Sequence, residues 1–355
     1  MFQIEMLPAR EGDCLWVRYG NVSAPHQILI DGGRQVTYLD LKARLMELPE
    51  FQRQFELFVI THIDRDHIEG AISLLEDPDL KLSFRDIWFN GYGHLKGSDL
   101  ESFGAAQGER LSSALRSHRE RWNAAFGGGP VRIATGGSLP RFRLAGGLEL
   151  TLLSPDGGKL TSLLPRWEAE CAKAGLEPGN SGHRTEPEGL ESFGGTVNVE
   201  KLAAQPFRPD RTVPNGSSIA LLAEFNGARV LLAGDAHADR LISSLKVLLR
   251  EEGRLRLDAF KLSHHGSSGN TSRELLDLVE CSRYLVSTNG SYFGHPDEVA
   301  IARVLKYGGS EKSLHFNYSS DRSSVWMDAV LQQTYCYTMQ TPSEATGGLV
   351  VSLQD

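Results

Sequence analysis

The sequence lacks several features that would place a chain in a specialised class. Its 355 residues include four cysteines, at 14, 171, 281 and 336, without a CxxC pair, which argues against a zinc ribbon and a disulfide framework. No apolar run approaches the roughly 18 residues that span a bilayer. The first residues, MFQIEMLPAREGD, lack the basic start and long apolar segment of a signal peptide. We therefore expect a cytoplasmic protein.

An excess of basic residues is also absent. The formal net charge of −8 gives no overall attraction to nucleic acid, although bound metals would add local positive charge. The 40% hydrophobic and 23% charged residues are the balance of an ordinary globular protein. A chain of this length can bury a substantial core in one large α/β domain or in two smaller ones, and we expect the first, over residues 1–355.

Residues 55–70, FELFVITHIDRDHIEG, concentrate side chains that bind metals. The apolar run at 55–60 predicts a buried strand, and four potential ligands follow it, namely His62, Asp64, Asp66 and His67. Side chains two apart on an extended chain point the same way, so the first two can reach one ion while the last two turn toward another. The alternative is a turn in which Asp66 caps the next helix. Capping accounts for only one of the four side chains.

The stretch THIDRDHIEG resembles the His-x-His-x-Asp-His signature of the metallo-β-lactamase superfamily, with Asp64 in place of the usual second histidine. It is similar to the His-x-Asp-x-Asp-His form found in the β-lactamase-like domain of ComEC-type DNA-uptake proteins. Residues 11–13 (Glu-Gly-Asp) and 30–33 (Ile-Asp-Gly-Gly) resemble two further features of that domain. The resemblance covers roughly 1–90 and 213–305, and it implies an αββα sandwich of two mixed sheets with outer helices.

The second half of the expected site follows a predicted hairpin, in which Asn226-Gly227 indicates a type I′ turn. In the superfamily, the Gly-Asp pair after such a hairpin supplies an oxygen ligand that bridges two metals, and the resemblance gives this role to Asp235. It also implies that one histidine of the pair 264–265 joins Asp66, His67 and Asp235 at the second metal, and the following glycine favours His265. The alternatives for His264 are that it is the ligand instead, in altered geometry, or that it is the proton donor to a leaving group.

Further candidates lie near these motifs. His295, in a Gly-His-Pro similar to that of ComEC relatives, is a catalytic residue entering the cleft or simply a helix-start residue. Lys261 and Ser267 are placed to hold an anionic substrate, unless Lys261 is merely exposed at a strand edge. Asp31 either orients a ligand histidine or forms a turn.

One departure from the superfamily concerns the first metal. Most members have another histidine shortly before the strand that begins here near residue 217, but RPDRTVPNGS contains none. The first metal then keeps His62, Asp64 and Asp235, unless Asn215, His94, His183 or water completes it. Such an oxygen-rich site favours Mn²⁺ or Mg²⁺ relative to Zn²⁺. Asn215 is also a candidate for binding the substrate.

Residues 156–214 are rich in glycine, proline and charge. We expect an irregular insertion with one short helix around PRWEAECAKAG, and we predict that it covers the metal cleft as a lid. His183 and Arg184 are its most notable side chains, and a mobile surface loop is the alternative. The C-terminal stretch, from SVWMDAVLQQTYCYTMQ onward, is expected to add closing strands or edge elements.

Two divalent ions, Zn²⁺ or Mn²⁺ with Mg²⁺ as a further option, would serve a hydrolase that uses an activated water. By family implication we expect a phosphodiesterase, with DNA or RNA as possible substrates. One alternative is a metallohydrolase of a small substrate, such as a phosphorylcholine-type ester, a cyclic nucleotide or a lactone. The other is a noncatalytic metal-binding sensor module.

Overall fold

The structure is a computed structural model that describes residues 1–96, 106–134, 136, 138–173, 197–250, 253–343 and 346–354. The described strands are β1 (Phe2–Met6), β2 (Leu15–Asn21), β3 (Ala24–Ile30), β4 (Gln54–Val59), β5 (Ser83–Trp88), β6 (Arg141–Arg143), β7 (Glu149–Ser154), β8 (Ala220–Phe225), β9 (Ala228–Leu232), β10 (Leu255–Leu257), β11 (Ala259–Lys261), β12 (Val279–Cys281), β13 (Arg283–Val286), β14 (Lys312–Phe316), β15 (Tyr337–Gln340) and β16 (Leu349–Gln354).

The described α-helices are α1 (Tyr38–Met46), α2 (Arg65–Glu76), α3 (Tyr92–Lys96), α4 (Ala106–Leu115), α5 (Gly157–Lys173), α6 (Val199–Ala203), α7 (Val213–Gly216), α8 (Ala238–Leu249), α9 (Arg273–Asp277), α10 (Glu298–Tyr307), α11 (Asp321–Ser324) and α12 (Ala329–Tyr335). Within the described parts of the chain, none of these helices has the length and apolar character needed to cross a lipid bilayer.

Two large mixed sheets organise the fold. The first has the order β16-β1-β2-β3-β4-β5, and the second has the order β15-β14-β13-β11-β9-β8-β7-β6. In the first sheet β3, β4 and β5 run parallel, and in the second sheet the strands from β9 to β15 run parallel. Parallel strands of one sheet end at the same edge, so the loops after β9 and β11 lie side by side. The loop after β4 leaves the other sheet and reaches the second sheet where the Ile219 nitrogen donates to the Thr61 carbonyl oxygen at 2.9 Å.

The core follows from the alternation of side chains along each strand. In β4 and just beyond it, Leu57 and Val59 belong to the apolar cluster between the two sheets. Phe58 and Ile60 face the other way, into the cluster formed with α1 and α2. Helices α8 and α10 pack on the second sheet. The predicted αββα sandwich of two mixed sheets with outer helices is therefore confirmed.

Short sequence patterns predict most of the strands and turns that carry the expected site residues. The strand expected at 55–60 is β4, and the predicted turn between β8 and β9 has positive φ at both Asn226 (47°) and Gly227 (86°), as a type I′ turn requires. Gly32, which follows β3, lets the chain pass very close to the backbone of α2. A Cβ on Gly32 would lie 2.1 Å from the Ala71 nitrogen in α2, so only glycine fits there.

The stretch expected to be an irregular insertion is more helical than predicted. Helix α5 already begins at Gly157, and α6 and α7 follow before β8. Residues 174–196, with His183 and Arg184, lie outside the described residues, so the lid stays a prediction. The C-terminal stretch supplies edge strands, β15 to the second sheet and β16 to the first. Residues 321–335 before them form α11, a short 3₁₀ turn and α12.

Candidate metal centre

The loop after β4 delivers the first set of polar side chains. His62 is buried at the end of the strand, and its Nε2 lies 3.5 Å from Asp64 Oδ2, whose side chain is 41% exposed. Helix α2 begins at Arg65 with Asp64 as its N-cap, and the Asp64 side chain makes no capping hydrogen bond. Asp66 and His67 lie buried in the first turn. The capping alternative therefore explains neither aspartate.

Asp235, which follows β9, is the point where the loops converge. Its Oδ2 lies 3.7 Å from His62 Nε2 and 3.4 Å from His67 Nε2. The same oxygen lies 3.7 Å from His265 Nε2 and 3.9 Å from His264 Nε2. One carboxylate oxygen thus faces the Nε2 atoms of four imidazoles from two separate segments.

A compact group of ligand atoms surrounds one side of this oxygen. His265 Nε2 lies 3.2 Å from Asp66 Oδ2 and 3.3 Å from His67 Nε2. All three side chains are buried. These separations are those of atoms that share one ion at roughly 2.0 to 2.2 Å from each atom. The set matches the second metal expected from the sequence.

Hydrogen bonds at the other ring nitrogens fix which nitrogen of each imidazole faces the centre. His67 Nδ1 lies 2.8 Å from Asp31 Oδ2, and His265 Nδ1 lies 2.9 Å from the Ser287 carbonyl oxygen. Both partners are acceptors, so each Nδ1 donates and each Nε2 keeps a lone pair for a ligand. Thr61 Oγ1 donates to Asp31 Oδ2 and so accepts from His62 Nδ1, at 3.0 Å. The orienting role predicted for Asp31 is therefore the one its contacts support.

Two atoms at the centre are buried and have no hydrogen-bond partner among the described residues, His62 Nε2 and Asp235 Oδ1. Buried polar atoms without a partner are costly, and their presence calls for an explanation. A divalent cation would satisfy a nitrogen lone pair and carboxylate oxygens together. The residues present therefore fit a metal centre.

Charge compensation within the cluster is visible in the pKa values. Burial raises the pKa of Asp66, but His67 and His265 outweigh it and bring the pKa below its ordinary value. Burial also raises the pKa of Asp235, and the same imidazoles hold it well below its ordinary range. Burial lowers the pKa of His265, whereas Asp235 and Asp13 raise it to about 9. Metal binding would displace the imidazole protons.

Lys261 has a different role from the one predicted. Its ammonium is fully buried, lies 2.6 Å from Asp13 Oδ2 and donates to the Leu262 carbonyl at 3.0 Å. β11 lies between β9 and β13 in the middle of the second sheet, so Lys261 is not at an exposed strand edge. The prediction that Lys261 contacts the substrate is corrected, because its ammonium group pairs with the buried carboxylate of Asp13. The other oxygen of that carboxylate, Oδ1, lies 3.4 Å from His265 Nδ1.

His264 and His295 stand together on the more open side of the centre, with ring centroids 4.9 Å apart. His295 Nδ1 lies 3.0 Å from Asp297 Oδ1. Phe293, 49% exposed, packs near both rings at 6.1 to 6.2 Å. This face is where a substrate can enter.

The two remaining substrate candidates are both buried. Asn215 Nδ2 donates to Asp210 Oδ2 at 2.8 Å, and its Oδ1 has no partner among the described residues. Ser267 Oγ accepts from the Gly269 nitrogen at 3.2 Å within its own turn. A substrate role for either stays a prediction.

Sequence reasoning missed Asp13, Asp210 and Asn270 as residues of the site. Asp13 was visible only as part of a turn motif, and Asp210 and Asn270 lie in stretches that carry no local signal. His94, which the sequence suggested as a first-metal ligand, accepts from the Gly91 nitrogen at 3.1 Å and packs against Trp122. None of its described contacts is with the centre.

No family model and no curated protein matches this sequence. Among solved structures, a putative metal-dependent hydrolase from Parabacteroides distasonis is similar over 96% of this chain and 92% of its own, with 12% identity and a TM-score of 0.36. Zn²⁺-bound PqqB from Methylobacterium extorquens covers 95% of this chain and 86% of its own, with 13% identity and a TM-score of 0.40.

CmlA, a diiron β-hydroxylase from Streptomyces venezuelae, matches over 99% of this chain but only 54% of its own, with 12% identity and a TM-score of 0.39. At these TM-scores the likeness adds nothing to what the side chains themselves indicate.

Proposed function

We propose that this protein is a hydrolase that uses two divalent metal ions held around Asp235. The observation that carries the proposal is the convergence of four imidazole Nε2 atoms within 3.9 Å of Asp235 Oδ2. Nitrogen atoms gathered around a carboxylate oxygen need a positive charge between them, which ring protons supply in the metal-free protein and a metal ion would supply when bound. The hydrogen bonds at the Nδ1 atoms of His62, His67 and His265 direct each Nε2 toward the position of that ion.

The ligands divide into two sets. Asp66, His67 and His265 would hold the second metal, and His62 with Asp64 would hold the first, while Asp235 is shared. Divalent ions so placed supply Lewis acidity and a water activated near neutral pH. Asp31 holds His67 in the ligating tautomer, as its 2.8 Å contact indicates.

A histidine able to take part in proton transfer lies on the open side. His295 Nδ1 donates to Asp297 Oδ1, so Nε2 carries the lone pair of the neutral ring, and burial lowers the pKa of His295. We assign His295 as a proton acceptor that faces the bound substrate or the attacking water. Asp66 orients the centre as a metal ligand and needs no separate catalytic role.

We further propose a phosphodiester as the substrate class. The support is the resemblance of the motif loop to ComEC-type domains, together with the suitability of paired metals for phosphoryl transfer. The exposed ring of Phe293 beside His295 offers an apolar surface to a substrate.

The test is hydrolysis by protein loaded separately with Mn²⁺, Mg²⁺ or Zn²⁺, with single-stranded DNA and bis-p-nitrophenyl phosphate as substrates. We expect both to be cleaved, and Asp235→Asn to abolish cleavage of both. Asp239→Asn is the matched control, because that carboxylate is 70% exposed and pairs with Lys159 outside the centre. Cleavage of the small ester alone would favour a small-molecule hydrolase. Metal binding without any hydrolysis would favour the sensor module.

A further inference from the structure

The first metal is one protein ligand short of the second when only the motif residues are counted. His62, Asp64 and the shared Asp235 serve it, and the segment before β8 offers Asn215 where most superfamily members have a histidine. Resting on the two-metal function proposed above, we infer that His264 Nε2 is the missing ligand. It reaches the site from the loop after β11 rather than from the segment before β8.

The backbone of this loop is shaped to present two adjacent imidazoles to one carboxylate. His264 and His265 have φ values of 48° and 55°, a conformation that costs free energy for residues other than glycine. A hydrogen bond from the His264 nitrogen to the Gly234 carbonyl, at 3.0 Å, holds the turn against the loop of Asp235. As a result both Nε2 atoms lie within 3.9 Å of Asp235 Oδ2.

The ring of His264 is oriented by contacts at Nδ1, the ring nitrogen that does not face Asp235. Asn270 Oδ1 lies 3.2 Å from this nitrogen, and the amide of Asn270 cannot be reversed because its Nδ2 donates to the carbonyls of residues 235 and 236. Asp210 Oδ2 is a second acceptor, at 3.5 Å. Two acceptors at Nδ1 favour a proton there, which leaves the Nε2 lone pair directed at the centre.

The same contacts decide between His264 and Asn215. The amide nitrogen of Asn215 lies 3.2 Å from His264 Nδ1, on the side of the ring away from Nε2, and its shorter hydrogen bond goes to Asp210. The amide nitrogen of Asn215 therefore lies at Nδ1 of the imidazole, whereas Nε2 faces Asp235. His264 is the side chain that presents an atom to Asp235, and Asn215, Asp210 and Asn270 are its positioning residues.

The test counts metal ions per chain by mass spectrometry after equilibrium dialysis, and so does not depend on activity. His264→Asn is the informative variant. Asparagine tolerates positive φ better than most residues and places an amide near the position of Nδ1 but nothing near Nε2. We expect wild-type protein to bind two ions. We expect H264N to keep one tight ion and to bind the other at least about tenfold more weakly.

Double variants show which metal each histidine serves. H62N/H264N removes two ligands of the same ion and should still bind one ion tightly. H62N/H265N removes a ligand from each ion and should retain neither tightly. His237→Asn is the matched control, because that buried histidine contacts the Thr212 carbonyl and Lys159 instead of the centre.

Two results would overturn the assignment of His264. One is an H264N variant that binds both ions as tightly as the wild type, and the other is an H62N/H264N variant that loses both. Wild-type protein that binds fewer than two ions would instead refute the two-metal function itself, and this result is seen before any variant is made.

Discussion

Replacing Asp31 with asparagine tests whether one buried carboxylate sets the metal affinity of the centre. Asp31 is fully buried, and its Oδ1 accepts from the Thr61 nitrogen at 2.7 Å. Its Oδ2 accepts from Thr61 Oγ1 and from His67 Nδ1, each at 2.8 Å. The residue has φ 57°, which asparagine also tolerates, so the substitution changes chemistry more than backbone.

The expected effect on metal affinity follows from the hydrogen-bond donors and acceptors of the new amide group. The Thr61 nitrogen needs an oxygen, so the new amide turns its Nδ2 toward His67 Nδ1. That nitrogen must then accept, and the proton moves to Nε2, the atom that should bind metal. Loss of such an orienting carboxylate lowers metal affinity about 10- to 100-fold, which corresponds to roughly 1.4 to 2.8 kcal/mol.

The assay is competition of each variant with a chromophoric chelator, at fixed pH and ionic strength. Asp258→Asn is the matched control, because Asp258 also accepts from a backbone nitrogen, that of Arg229 at 2.9 Å, and lies outside the centre. Equal affinities for D31N and the wild type would refute the orienting role of Asp31. So would an equal loss in D31N and D258N.

Three other predictions follow from the same contacts. Lys261→Met leaves the buried carboxylate of Asp13 without its partner, so urea unfolding should show a loss of about 3 to 5 kcal/mol; an unchanged stability with a raised KM would restore the substrate role. Gly12→Ala places a Cβ 1.8 Å from the Asp66 carbonyl oxygen, and should cost about 1 to 3 kcal/mol in unfolding free energy and weaken metal binding. Because the pKa of His265 is raised to about 9, the metal-free protein holds this proton at neutral pH. Metal binding should therefore release protons, measured by calorimetry in buffers of different ionisation enthalpy, and apparent affinity should rise with pH through about 9; a pH-independent affinity would contradict this.

The parts of the site that the sequence could predict are those with local signals. The buried strand β4 and the polar loop after it are encoded within sixteen residues, and the turn at Asn226-Gly227 is specified by two. The resemblance then supplied Asp235 and His265, which local pattern alone would not have joined to His62.

The parts that could not be predicted depend on contacts distant in sequence. Lys261 pairs with a carboxylate 248 positions earlier, and no feature of its own strand shows that β11 would be covered on both sides. Asp210 and Asn270 come near the centre through their contacts with His264 Nδ1. The short helices before β15 were not predicted, and they begin where the side chains of Ser320 and Asp328 cap their first turns.

The most direct measurement is anomalous X-ray scattering from crystals of the protein loaded with Mn²⁺ or Zn²⁺, recorded on both sides of the metal absorption edge. We predict two peaks roughly 3.5 to 4 Å apart, one on each side of Asp235, with His67 and His265 at one and His62 and His264 at the other. A single peak, or peaks away from Asp235, would contradict the two-metal centre.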